Sequence, residues 1–562
     1  KVEAAVAAVH LLGEGANDPA VKPGADGTAE APPRLTGLPG ARTSSPLGEL
    51  FAYVVARWNG ARASPPATLA EAALSPDANP AATHRLVCLA FLETCARYHL
   101  AVARHPEALL LPVLAAFLDA RGARHADPEV AARACYLLAR FVKPLRQQIA
   151  AVLGDVLAAM EEVLLGALEP PSANDASRTN HSGAVAAGRG TGGAMATAGN
   201  DDRLYAYEAL GFLLGTEDAK FPEEAQVSLT EKACARLRSR LESATQVGDA
   251  GTCARCLVAC ANVAKGFSAR LATEIRPRLG LALVAGLAPA TACLARFDAA
   301  NDPAAGLLRQ RVVAYFQRMV QGVGRAAFPY AAPLVDRVRA SGSASDLKEG
   351  FVLCNQLCAT FKKELAPFAE TATPALIAQT ARALAPFASP DGHAHGVLGV
   401  LARVADVPDA LARADAARAA REAARAADAG AAESAAAAAR ATEESREARE
   451  LEATLVAHLH ALGANGLWGA FEAPSGEGTR EMALATLAAW AAAHPSAVSR
   501  KAALQALHKM AQAWLPDAAN GELGEKVPGF CQFASDVIVR ECCVSAVLRG
   551  DLDVRDAAGA AA

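Results

Sequence analysis

The chain has 562 residues, enough for several buried cores in series. Ala makes up about a quarter of it and aromatics 5%, a composition that favours helix and argues against an all-β protein. A net charge of −4 excludes a wholesale polycation that coats nucleic acid, so any nucleic-acid site must be a local patch.

Taken in chain order, residues 1–13 carry an amphipathic pattern (Val2, Val6, Val9, Leu12) and read as a helix of a truncated repeat, which marks the chain as part of a longer protein. Residues 14–48, rich in Gly, Pro, Ala and Ser, read as a disordered linker. From residue 49 to 169 a phrase recurs in which a polar or Pro-containing break precedes a helix with small and apolar residues at helical spacing: Asn79-Pro80 before THRLVCLAFLETCARY, then Asp127-Pro128 before EVAARACYLLARFV. Residues 170–200 are polar and Gly-rich and read as a disordered insert. The phrase returns through 201–408, at Asp201-Asp202, Gly251, Asn301-Asp302-Pro303 and Asp346. Residues 409–453 alternate Ala with Arg, Asp and Glu and offer no Leu or Ile stripe, so they read as an exposed helix or loose insertion. A last version opens at His494-Pro495 within 454–562, the C-terminal repeats. Helices such as ALLLPVLAAFLDA lie between these, giving two per unit at intervals of roughly 40 to 55 residues, as in HEAT or armadillo repeats. The predicted fold is all-α, a HEAT-repeat helical solenoid.

Chemical motifs are weak. The thirteen cysteines sit largely in apolar helical runs, where Cys behaves as a small hydrophobe, and suggest a reducing compartment. Cys253, Cys256 and Cys260 share one helical face without a second pair at zinc-finger spacing, and Cys354 with Cys358 is similar. His393 with His395 and His458 with His460 lack i, i+4 spacing. No Walker-type, G-x-S-x-G or H-E-x-x-H motif occurs, so neither an enzyme nor a metal or cofactor site is expected. No run of eighteen apolar residues is free of charge or a helix breaker, so no membrane insertion is expected, and the chain reads as soluble and intracellular.

Two stretches stand out by charge. Between 121 and 148, Arg121, Arg124, Arg133, Arg140, Lys143 and Arg146 face only Asp127 and Glu129. Between 309 and 339, Arg309, Arg311, Arg318, Arg325, Arg337 and Arg339 face only Asp336. Arg-rich stripes on a helical scaffold can track a phosphate backbone, while the plainer reading makes them solvated helix faces, with Arg133 joining repeats.

The run RGARHADPEVAARACYLLARFVKPLRQQI (121–149) resembles a segment of the exportin-T family, receptors of the importin-β type for nuclear export of tRNA. DDRLYAYEALGFLL (201–214), DLKEGFVLCNQLCATFKKELAPF (346–368) and RKAALQALHKMAQAW with VPGFCQFASDVIVRECCVSAVL (500–548) are similar to the same family in the same order. The resemblance implies a receptor that binds mature, folded tRNA cooperatively with Ran-GTP, meets nuclear pore proteins, shuttles between nucleus and cytoplasm, and releases its cargo when Ran hydrolyses GTP. By that implication GTP enters only through Ran, DNA is no partner, and this chain is the family's C-terminal part. Within the matched motifs Arg121, Arg124, His125, Arg140, Lys143 and Arg146 become the candidates for tRNA phosphate contact, with Lys348, Lys362 and Lys363 second. The competing reading is a HEAT scaffold for protein partners without RNA cargo.

Overall fold

A computed structural model describes residues 46–58, 65–73, 83–169, 201–218, 221–384, 431–472, 477–493, 497–515, 526–545 and 548. The fold is an all-α HEAT-repeat solenoid, with no strand among the described residues. Residues 1–13, 14–45, 170–200 and 385–430, read above as a helix, most of a linker, an insert, and the end of the 201–408 repeats with the start of the second insert, lie outside the described residues. Two compact units divide the chain, Lys1–Ala327 and Phe328–Ala562.

In the first unit, helices alternate between two layers. One layer holds α2 (Arg85–Arg97), α4 (Pro128–Ile149), α6 (Tyr205–Leu214), α8 (Ala250–Ala264) and α11 (Ala305–Val323), each packed on the next. The other holds α3 (Pro106–Leu118), α5 (Leu153–Leu168), α7 (Glu223–Val247) and the pair α9 (Pro277–Val284) and α10 (Leu287–Ala299). Before them, α1 (Pro46–Trp58) begins inside the segment read as linker and packs on α3. Local chemistry sets the helix starts: Asp127 accepts from the Glu129 N–H, Pro128 fills the first turn, and Asp249 accepts from the Thr252 N–H.

The layers are spaced differently. At the α6–α8 seam a Cβ on Gly211 would run into the Val263 carbonyl, and one on Gly266 into the Gly211 backbone, so only Gly permits this approach. Across the unit, α5 and α7 leave a groove of about 620 Å³. Its lining includes Leu164, Leu210 and Tyr207, whose hydroxyl donates to the Leu164 carbonyl at 2.9 Å. Arg236 with Glu161, and Arg240 with Glu169 at 2.9 Å, join α7 to α5 beside it.

The stretch Pro277–Ala299 is long and apolar enough to cross a membrane by length and composition. Half of its apolar window is nonetheless buried in the fold, and it divides into α9 and α10, which turn Leu279, Leu283, Cys293, Leu294 and Phe297 inward.

The second unit repeats the two-layer plan. α13 (Ala344–Phe361), α15 (Ala431–Ala464) and α17 (Ala497–Trp514) form one layer; α12 (Ala331–Ser341), α14 (Ala366–Leu384) and α16 (Glu477–Ala493) form the other. One boundary differs from the sequence reading. The segment read as an insert up to 453 runs without a break into the next repeat as α15, which buries Ala448 and Leu451 before continuing with Leu455, Val456 and Leu459. Ala448 and Leu451 in the last turns of the insert thus join the buried side of a helix that packs on α13. Around Trp514, Trp468, Phe471 and Phe530 pack with ring centroids 5.0–6.5 Å apart.

Candidate nucleic-acid interface

The helix that carries most of the candidate residues is α4. Val130, Ala134, Leu137, Leu138, Phe141 and Leu145 define its buried arc, and Arg133, Tyr136, Arg140 and Lys143, spaced i, i+3, i+7 and i+10, form a ridge on the opposite side. Arg146 sits beside that ridge, half-buried, and Arg140 and Lys143 are exposed.

Aromatic rings support these cations. The Arg133 and Arg140 guanidiniums lie 4.9 and 5.7 Å from the Tyr136 ring centroid, and Tyr136 meets Tyr205 edge-on at 5.1 Å. The Lys143 ammonium stands 5.4 Å from the Phe212 ring of α6. Arg133 is also tied to Glu93 of α2 at 2.8 Å, so it joins repeats, as its plainer reading held. Arg140, Lys143 and Arg146 have no ion-pair partner among the described residues, which leaves their charge available to an external anion.

The loop before α4 behaves otherwise. Arg121 is fully buried, its guanidinium 2.7 Å from the Asp119 carboxylate, and it presents nothing to a phosphate. This corrects its reading as a contact residue: Asp119, two residues earlier, turns the side chain inward. Arg124 is partly exposed, but it pairs with Glu162 at 3.2 Å and donates to the Ala159 carbonyl at 2.8 Å, fastening the loop to α5. His125 bonds the Thr83 carbonyl through Nε2 at 2.7 Å and accepts from the Asp127 N–H through Nδ1 at 2.9 Å. Both of its nitrogens are thereby engaged in holding the loop.

On the second unit, Lys348 pairs with Glu450 of α15 at 2.9 Å and is a helix-to-helix tie. Lys362 and Lys363 are exposed in the turn after α13, and no ion pair engages either among the described residues. The other basic stretch is largely spent on structure: Arg309 is buried against Asp298 at 2.7 Å, burial lowers the pKa of Arg311, and Arg339 pairs with Asp336 at 3.4 Å.

Sequence reasoning missed one buried charge network. Asp201, at the end of the polar insert, binds Arg203 at 2.7 Å and Arg255 of α8 at 2.8 Å. Burial opposes its charge, yet these guanidiniums hold its carboxyl below the usual range. The same arginines donate to carbonyls at the end of α5, those of Gly166, Ala167 and Glu169. The Asp201-Asp202 break hinted at a cap, but nothing local pointed to Arg255, 54 residues on.

Cys253, Cys256 and Cys260 are buried on α8, and Cys354 and Cys358 on α13. Burial pushes the Cys256 and Cys358 thiols up to about 12, the behaviour of packed side chains rather than nucleophiles. Among the described residues, no three His, Cys, Asp or Glu side chains group as a metal site. His458 is buried, its Nδ1 2.8 Å from Asn355 Oδ1, and burial lowers its pKa to about 4.

Comparison with known proteins supplies the frame for this surface. The family model described as Exportin-T matches residues 76–388. The chain is 25% identical to Exportin-T of Arabidopsis thaliana over 488 residues, covering 85% of this chain and 42% of that protein. It is 24% identical to Exportin-T of Oryza sativa subsp. japonica over 482 residues, covering 84% and 42%. Against Exportin-T of Homo sapiens the identity is 27% over 299 residues, covering 51% and 28%. The chain thus spans less than half the length of these relatives.

Proposed function

The chain belongs to the Exportin-T family, a family of transport receptors, and from that premise we propose that it serves nuclear export of tRNA. In this reading the protein binds folded, mature tRNA together with Ran-GTP, passes the pore through contacts with nuclear pore proteins, and shuttles between nucleus and cytoplasm. Hydrolysis of GTP by Ran releases the cargo, and the chain itself performs no chemistry.

The observation that carries the RNA half of this reading is the α4 ridge. Arg140 over Tyr136 and Lys143 over Phe212, with Arg146 beside them, are cations without an ion-pair partner among the described residues, inside the part of the chain the family model matches. Phosphates are recognised by such positioned cations without reading sequence, which suits a receptor for many tRNAs of one shape.

The test is binding of folded tRNA to the 562-residue chain near physiological salt, with and without GTP-loaded Ran, against an unstructured RNA. Selective binding strengthened by Ran-GTP is expected. Equal affinity for both RNAs, or none for either, would sink the reading and favour the protein scaffold.

A further inference from the structure

Four leucines of α5, two of α6 and two of α7 line the groove between α5 and α7. Its volume of about 620 Å³ is that of a small-molecule site, which spans roughly 300–1,000 Å³. Leu165 is 54% exposed, and Leu157, Leu164 and Leu229 are half-buried, so this leucine surface is reachable from solvent.

The two walls are pinned independently of any occupant. Arg203 and Arg255 donate to the carbonyls of Gly166, Ala167 and Glu169, which fixes the end of α5. At the start of α7 the buried Gln226 donates to the carbonyls of Leu214, the last residue of α6, and of Thr216 at 3.1 Å. α6 in turn lies backbone to backbone on the segment after α8 through Gly211 and Gly266. The groove is therefore part of the fold, and a ligand entering it pays little to order the protein.

Charge in the lining is uneven. Lys232, Arg236 and Arg240 stand at i, i+4 and i+8 on one face of α7, against Glu161 of α5 and Glu169 at its end. Arg236 pairs with Glu161 and Arg240 with Glu169, whereas Lys232 is exposed with no ion pair among the described residues. The lining thus holds one cation more than it holds carboxylates, and the complement is an apolar body with a single negative charge at one end. A partner helix, about 10–12 Å across, would have to break both ion pairs to seat between α5 and α7. A single hydrocarbon chain would not.

We propose that this groove binds a long-chain carboxylate, with the chain along the leucines and the head on the Lys232 ammonium. The site lies in the layer opposite α4 and stands apart from the tRNA reading.

The experiment titrates the full chain with dodecanoate below its micelle concentration, by calorimetry and thermal midpoint, beside dodecanol and dodecyltrimethylammonium as neutral and cationic probes of equal chain length. Saturable binding of one dodecanoate per chain is expected, with a rise in midpoint. Dodecanol should bind about tenfold more weakly, for want of the charged contact, and the ammonium more weakly still. Lys232→Gln should cost about threefold to tenfold in dodecanoate affinity and leave dodecanol unchanged, while Lys232→Arg should keep both. Leu165→Glu sets a carboxylate among the leucines and should cost about tenfold or more. Both positions are exposed, so the ligand-free midpoint should stay within a few degrees and report that each variant is folded. Absence of dodecanoate binding, equal binding of the three probes, or unchanged dodecanoate affinity in Lys232→Gln or Leu165→Glu overturns the site.

Discussion

Two polar stripes with the same helical spacing meet opposite fates in this protein. On α4, Arg133, Tyr136 and Arg140 stand at i, i+3 and i+7 and form an outward ridge; on α13, Lys348, Phe351 and Asn355 stand at the same spacing and face α15. The first stripe leaves Arg140 over a tyrosine ring with its charge unspent. In the second, Lys348 meets Glu450, Asn355 meets His458, and the Phe351 ring lies 5.2 Å from the imidazole. What separates the open ridge from the seam is the presence of a covering helix, and a periodic stripe looks alike in both cases.

This contrast is open to measurement. Reversing Arg140, Lys143 and Arg146 together to Glu should weaken tRNA binding tenfold or more and flatten its salt dependence, because each removes a released counterion. The thermal midpoint should fall by only a few degrees, since no described ion pair depends on them and the lost cation–ring contacts at Tyr136 and Phe212 are worth about 0.5–1 kcal/mol each. Unchanged affinity would make the ridge a solvated face.

On the seam, the expected effect is on stability and depends on pH. Burial sets the folded pKa of His458 at about 4, against about 6.5 for an unfolded chain. The unfolded state therefore takes up the proton first, so the contribution of the neutral imidazole is whole above about pH 6.5 and is lost as the pH falls toward 4. Denaturant unfolding should show about 1–2 kcal/mol less stability at pH 5 than at pH 7 from this group. His458→Gln should remove that part of the pH dependence; a profile identical to the unchanged chain would place the titration elsewhere.

The smallest effect belongs to Lys348. Its pair with Glu450 is partly exposed, so Lys348→Met should cost about 1 kcal/mol or less in chemical denaturation. tRNA affinity should stay constant, and a loss there would move Lys348 from the seam to the interface.

Much of the architecture was legible along the chain because its signals are local. Asp127-Pro128 announced the start of α4, the spacing of Val130, Ala134, Leu137 and Phe141 announced its buried arc, and the returning turn-then-helix phrase announced the repeat. The charge along 121–148 singled out Arg140, Lys143 and Arg146 together with Arg121, and left open whether they track a phosphate backbone or form a solvated face. Local reading failed where a residue's role depends on what lies across from it. Arg121 was drawn inward by Asp119, Lys348 was taken by Glu450 over a hundred residues away, and the last turns of the Ala-rich segment found a partner in α13. Period and capping are properties of a few consecutive residues, so the sequence by itself determined which segments are helices and which arc of each is apolar. Coverage, pairing and burial of charge arise between segments far apart in the chain, and only the tertiary structure decided which basic residues remain free to meet a phosphate.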